Sequence, residues 1–215
     1  GVPRPRTYRG QLPEERRAGR RRRLLDAALE LFATVGYPGV SIERLCAEAG
    51  VTARHFYQEF PSREALLTAL FDETAELAVT AVTGALGQAP ERARTRSEAG
   101  VGAFVHAMLD DPRRARILCV ESVGVSAELE QRRRSVIHTF ALVTQEQAER
   151  LIELGDVPSR DFSLGALALV GGMNEVITEW VLGSHRPPLD DLVEEFVRMI
   201  LAVASLLVPA GQGAA

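Results

Sequence analysis

No stretch of this 215-residue chain alternates apolar and polar residues at period two, while apolar residues recur at helical spacing almost throughout. That constraint removes sheet architectures and leaves packed helices. The punctuation agrees. Gly36, Gly50, Pro61-Ser62, Gly87 to Pro90, Asp111-Pro112, Gly124 to Ser126, Gly155 to Pro158 and His185 to Pro188 are short breaks of the length that joins neighbouring helices. Between them the pattern predicts helices over 13–35, 41–49, 52–60, 63–86, 95–110, 112–124, 127–154, 161–183 and 188–208. The expected fold is therefore all-α, with about nine helices.

Charge divides the chain unequally. Its net charge of −4 combines a first segment, residues 1–63, with 12 Arg against 7 Asp or Glu, and a remainder with 13 Arg against 22 acids. A basic first third on an acidic remainder points the N-terminal part at a polyanion. Six arginines crowd positions 16–23, although a helical charge run is often only a solvated face. Cys46 and Cys119 lie far apart in apolar periodic segments, giving neither a disulfide framework nor a metal-ligand spacing. They read as reduced core thiols. No secretory-leader pattern opens the sequence, and the apolar run from Met199 to Ala210 is too short to span a bilayer, so a cytoplasmic globular chain without membrane contact is expected.

Most of the functional information lies between Ser41 and Phe60. Two helices of under ten residues meet at Gly50, with Ser41 and Thr52 placed as caps and Val51 placed to fill the wedge between them. Ile42, Leu45, Cys46 and Ala49 share one face of the first helix, Phe56 and Phe60 one face of the second. This is helix-turn-helix design. Opposite Phe56 and Phe60 stand Arg54, His55 and Gln58, with Tyr57 near the margin. Arg54 can pair with guanine, Gln58 suits adenine, and Tyr57 with Thr52 can donate to phosphate. The candidate DNA-binding residues are Arg44, Thr52, Ala53, Arg54, His55, Tyr57, Gln58 and Arg63.

The segment from Leu24 to Leu70 resembles the N-terminal domain of TetR-family transcriptional regulators. The resemblance is carried by Leu25-Asp-Ala-Ala-Leu-Glu-Leu-Phe32, the Gly36-Tyr37 stop, Ile42-x-x-Leu45, Ala49-Gly-Val-Thr52, Phe56-Tyr57-x-x-Phe60 and Ser62-Arg-Glu-Ala-Leu66. It implies that the second and third helices form the helix-turn-helix, that Tyr57 contacts phosphate, and that Arg63 replaces a lysine reaching the DNA backbone. His55 stands where the family usually has Ser or Thr, and Glu59 where it often has His. The implied organisation is a flexible basic arm over 1–12, a three-helix DNA-binding domain over 13–70, and a larger ligand-sensing and dimerisation domain over 71–215.

Residues beyond about 70 match no short motif, so only pattern speaks there. Residues 161–182 are apolar on nearly all sides and 189–208 over most of their circumference, and such helices must be covered. The expected partner is a second copy of the chain, paired through residues 161–208. Phe104, Met108, Glu121, Phe140, Thr144, Met173, Asn174 and Thr178 are the candidate ligand-binding residues: apolar walls with a few polar groups that can orient a small, mostly apolar effector. Such an effector would release a repressor dimer from a pseudo-palindromic operator, with the long fourth helix as lever. No cofactor, metal or catalytic residue is expected. His106 and Asp110 stand at i, i+4, a weak two-ligand match, and GxSxG, GxxxxGK[ST] and HExxH motifs are absent. A helical-domain enzyme and an effector-independent DNA-binding protein stay open as alternatives.

Overall fold

A computed structural model describes residues 13–155 and 158–205, the side chain of Pro13 excepted. The expected basic arm over 1–12 and the last residues of the expected pairing segment, 206–208, lie outside these. Every regular element among the described residues is helical: α1 (Pro13–Val35), α2 (Ile42–Ala49), α3 (Ala53–Glu59), α4 (Arg63–Gln88), α5 (Ala93–Leu109), α6 (Pro112–Arg116), α7 (Ala127–Glu153), α8 (Ser163–Leu182) and α9 (Leu189–Ser205), with a 3₁₀ turn over Tyr37–Gly39. The chain divides into two compact units between Thr74 and Ala75, within α4. That is about one helical turn beyond the boundary expected from sequence.

The first unit is built by local chemistry that agrees with its packing. Glu14 and Glu15 stand in the first turn of α1, where the helix dipole favours them, and Leu24, Leu25, Ala28, Leu31 and Phe32 form its buried face. Gly36 ends that helix at φ 94°, a conformation costly for any residue with a Cβ. Ser41 then caps α2, its hydroxyl accepting from the Arg44 amide at 3.2 Å. Gly50 stops α2 in the left-handed region at φ 61°, and Thr52 caps α3 by accepting from the His55 amide at 3.3 Å. Phe56 and Phe60 are buried with Leu45, Cys46, Ala49 and Val51. α3 closes at Glu59 because Phe60 is already extended, at φ −137°.

In the second unit α5 packs on α9 and α7 on α8. Val101, Val105, Met108 and Leu109 of α5 share one core with Cys119, with Ile177 and Val181 of α8, and with Leu192, Phe196 and Val197 of α9. Each such large side chain contributes about 1.5–3 kcal/mol by leaving water. The helix expected over 112–124 is not continuous. After the single turn of α6 the backbone widens into a π-helical turn over Ile117–Glu121. Residues five apart diverge around an α-helix, yet here Arg116 Nε and Glu121 Oε1 meet at 2.9 Å.

One cross-link in this unit had no counterpart in the sequence reading. Arg96, whose side chain is 5% exposed, donates from Nε to Gln147 Oε1 at 2.8 Å and from Nη1 to the Ala89 carbonyl at 3.1 Å. A buried guanidinium needs partners, and these tie α5 to α7 and to the connection before α5.

Candidate functional site

The first unit presents the exposed face of α3. Thr52, Ala53, Arg54, Tyr57 and Gln58 are all exposed on α3, opposite buried Phe56. Tyr57 is 58% exposed although large and aromatic, with its ring edge-on to Phe56 and the centroids 5.4 Å apart. Exposing that ring costs burial, so its place on the rim is one a polar partner can use. Arg44 is exposed on α2. The turn brings these residues onto a short, doubly capped frame whose hydrophobic side is fully occupied.

Two of the candidates are drawn partly inward. His55 is half-buried, and its Nδ1 is hydrogen-bonded to Thr52 Oγ1 at 3.1 Å. Arg63 lies across the 3₁₀ turn: its Nη1 donates to the Tyr37 carbonyl at 3.1 Å and to the Val40 carbonyl, and its guanidinium sits 4.4 Å from the Tyr37 ring centroid. It therefore braces the entry to α2, a role the sequence did not announce. The arginines of α1 are likewise engaged. Arg23 donates to the Ala49 carbonyl at 3.1 Å, Arg22 bridges Asp26 and Glu73, and Arg17 and Arg20 converge on Glu59. A carboxylate at position 59 was the signal for that convergence, visible in the sequence but without a partner until α1 and α3 were packed.

The second unit gathers most of the candidate ligand residues. Phe104 and Phe140 meet edge-to-face with centroids 5.2 Å apart, and both pack, as Met173 does, against the core that contains Met108. Beside them the buried Cys119 thiol donates to Asn174 Oδ1 at 3.5 Å, while Thr178 donates to the Asn174 carbonyl at 2.9 Å. Burial pushes the Cys119 thiol up to about 11, so it stays protonated and a donor at neutral pH. Thr144 and Glu121 behave differently. The Thr144 hydroxyl bonds back to the Phe140 carbonyl at 2.9 Å, and buried Glu121 pairs with Arg116.

A cleft of about 340 Å³ opens elsewhere in this unit, with Trp180, His185 and Leu192 in its wall and none of the sequence-predicted ligand residues. His106 Nδ1 and Asp110 Oδ1 stand 2.9 Å apart, bonded to each other. Among the described residues no three His, Cys, Asp or Glu side chains are grouped to hold a metal ion, and no helix is long and apolar enough to cross a membrane.

Residues 24–70 match the family model described as bacterial regulatory proteins, tetR family. Over 169 residues the chain is 26% identical to the HTH-type transcriptional regulator EthR of Mycolicibacterium smegmatis, which spans 76% of this chain and 75% of that protein. Two solved structures share the fold. FadR from Bacillus subtilis, in complex with stearoyl-CoA, superposes with a TM-score of 0.75 at 18% identity, covering 85% of this chain and 98% of that one. AibR, in complex with isovaleryl coenzyme A and operator DNA, gives 0.67 at 19% identity, covering 84% and 97%.

Proposed function

We propose, on the premise that residues 24–70 match the tetR family and that the chain is similar to EthR, that it is a homodimeric TetR-family repressor released from a pseudo-palindromic operator by a small effector with a mostly apolar body. The observation that carries this reading is the exposed row Thr52, Ala53, Arg54, Tyr57 and Gln58 on a capped helix whose other face is buried. Arg54 and Gln58 read base edges in the major groove, and Tyr57 and Arg44 hold phosphates. His55 and Thr52 set the N-terminal end of α3 where it meets the groove.

Effector binding is assigned to the core around Phe104, Met108, Phe140 and Met173, with Asn174 and Thr178 as orienting groups. Stearoyl-CoA and isovaleryl coenzyme A, the ligands of the two related folds, suggest an acyl group as the apolar body. An acyl chain suits this lining, whereas coenzyme phosphates need cations that the core residues do not provide. A free or thioester-linked acyl compound is the class to test.

The deciding experiment selects bound fragments from genomic DNA with the purified protein, then challenges the complexes with fatty acids, acyl-CoAs and coenzyme A alone. Recovery of one recurrent pseudo-palindrome, released by an acyl compound but not by coenzyme A alone, is expected. Fragments with no common sequence would sink the repressor reading, and a common sequence that no acyl compound releases would sink the effector assignment.

A further inference from the structure

α3 ends in a carboxylate, an unfavourable choice on two counts. Glu59 follows Gln58 on the element that faces DNA phosphates, and it stands at the helix C-terminus, where the dipole is already negative. The structure resolves both by burying it. The Glu59 side chain is only 2% exposed, its Oε2 lies 3.1 Å from Arg17 Nε, and its Oε1 lies 3.4 Å from Arg20 Nη2. Arg21 completes the arrangement from the same helix: Nη1 reaches the Glu59 carbonyl at 3.5 Å, and the guanidinium sits 4.4 Å from the Phe60 ring centroid. Three arginines at i, i+3 and i+4 on one face of α1 thus close on the last turn of α3.

We propose that Glu59 is the positioning residue of the reading head: its buried carboxylate fixes α3 against α1 through Arg17 and Arg20, and in doing so keeps those two cations off the DNA backbone. The basic cluster at the start of α1 is then in part a structural clamp, and nonspecific affinity is held down where charge alone would raise it. A buried carboxylate without its cations is costly, so the clamp stays closed when DNA approaches.

This inference rests on the DNA-reading function proposed above, and the test separates the two. Wild type, E59Q and Arg17→Gln/Arg20→Gln are titrated with the genomic fragments that wild type selects and with random duplex of equal length, across a salt series, after thermal melts. E59Q keeps the shape and an acceptor but releases the charge. It should lower the ratio of selected to random affinity several-fold and steepen the slope of log affinity against log salt by about 1 to 2, as up to two guanidiniums reach phosphates. The double Gln variant should lose the same ratio with no shallower slope than wild type, and adding E59Q to it should leave the slope unchanged.

An E59Q protein with wild-type ratio and slope overturns the proposal, as does steepening that persists without Arg17 and Arg20. If E59Q does not fold, a double Gln variant with a slope shallower by about 2 overturns it alone, because the two arginines would then be phosphate ligands. Wild type that binds no duplex DNA would instead sink the DNA-reading function itself.

Discussion

Single side chains in this protein do different work from neighbours of the same type. Arg54 is exposed on α3, Arg63 is folded over Tyr37, and Arg96 is buried among Gln147 and Ala89. Arg54→Ala should therefore cost about 1–3 kcal/mol of operator affinity and relax preference at one base position, while binding to random duplex changes little. Competition binding against single-base operator variants checks it. Tyr57→Phe should weaken selected and random DNA alike. Arg63→Ala should lower stability by about 1–3 kcal/mol, because two backbone carbonyls lose a charged donor, and equilibrium denaturation measures that loss. Cys119 gives a pH prediction. Its folded thiol titrates near 11, above the ordinary thiol value, so the folded state holds a proton that the unfolded chain loses sooner. Its contribution to stability is complete at neutral pH and falls as pH rises toward 11, a fall that should disappear in Cys119→Ala.

At the scale of elements, caps and glycines settle where helices start and stop, and they are written locally. Ser41, Thr52 and Ser126 each accept from the amide three residues on, which is why these boundaries were readable from sequence. Gly50→Ala should cost about 1–2 kcal/mol, since the left-handed conformation at Gly50 lets α2 end and α3 begin within three residues. No atom outside its neighbours lies within 4 Å of a Cβ there, so strain and not clash is the cause. Denaturant titration of the variant checks the magnitude, and a loss of operator binding beyond the loss of folded protein would show that the turn angle itself is read. The π-helical turn over Ile117–Glu121 was not readable, because helical periodicity does not distinguish four-residue from five-residue closure over so short a run. A pair five apart, Arg116 with Glu121, marks the turn in the folded chain.

For the whole molecule, the proposed pairing through 161–208 draws its support mainly from α8. Leu164 is 80% exposed and Leu182 55%, both on a helix whose opposite face is buried in the core. Across α9 the exposed positions include Asp190, Asp191, Glu195 and Arg198, so that helix offers a more polar edge than its composition suggested. A Cβ at Gly165 would come within 3.4 Å of Val203 Cγ1, so that glycine serves packing of α8 on α9 inside one subunit. Sedimentation should find a dimer at micromolar concentration, and Leu164→Asp with Leu182→Asp should shift it toward monomer without lowering helix content. A wild-type species of 23.4 kDa alone would remove the proposed interface. If an effector releases the operator, linkage requires that operator DNA weaken effector binding by the same factor, about 5- to 150-fold for a coupling of roughly 1–3 kcal/mol. Calorimetry of the effector with and without operator measures that factor.

Helix class, the helix-turn-helix and the face carrying Arg54, Tyr57 and Gln58 were determined by sequence alone, because caps, glycine stops and apolar spacing act within a few residues. Position 59 shows the limit. The sequence marks Glu59 only as a glutamate where the family often has His, and its partners Arg17 and Arg20 come from α1, some forty residues away. Likewise, Asn174 and Thr178 are polar interruptions of an apolar helix in sequence, and neighbours of a buried thiol in space. Charge pairing and burial join residues that are distant in the chain, and no local pattern records which partner each will meet. Tertiary structure alone decided which arginines are clamps, which polar groups face the core, and where an apolar face is left uncovered.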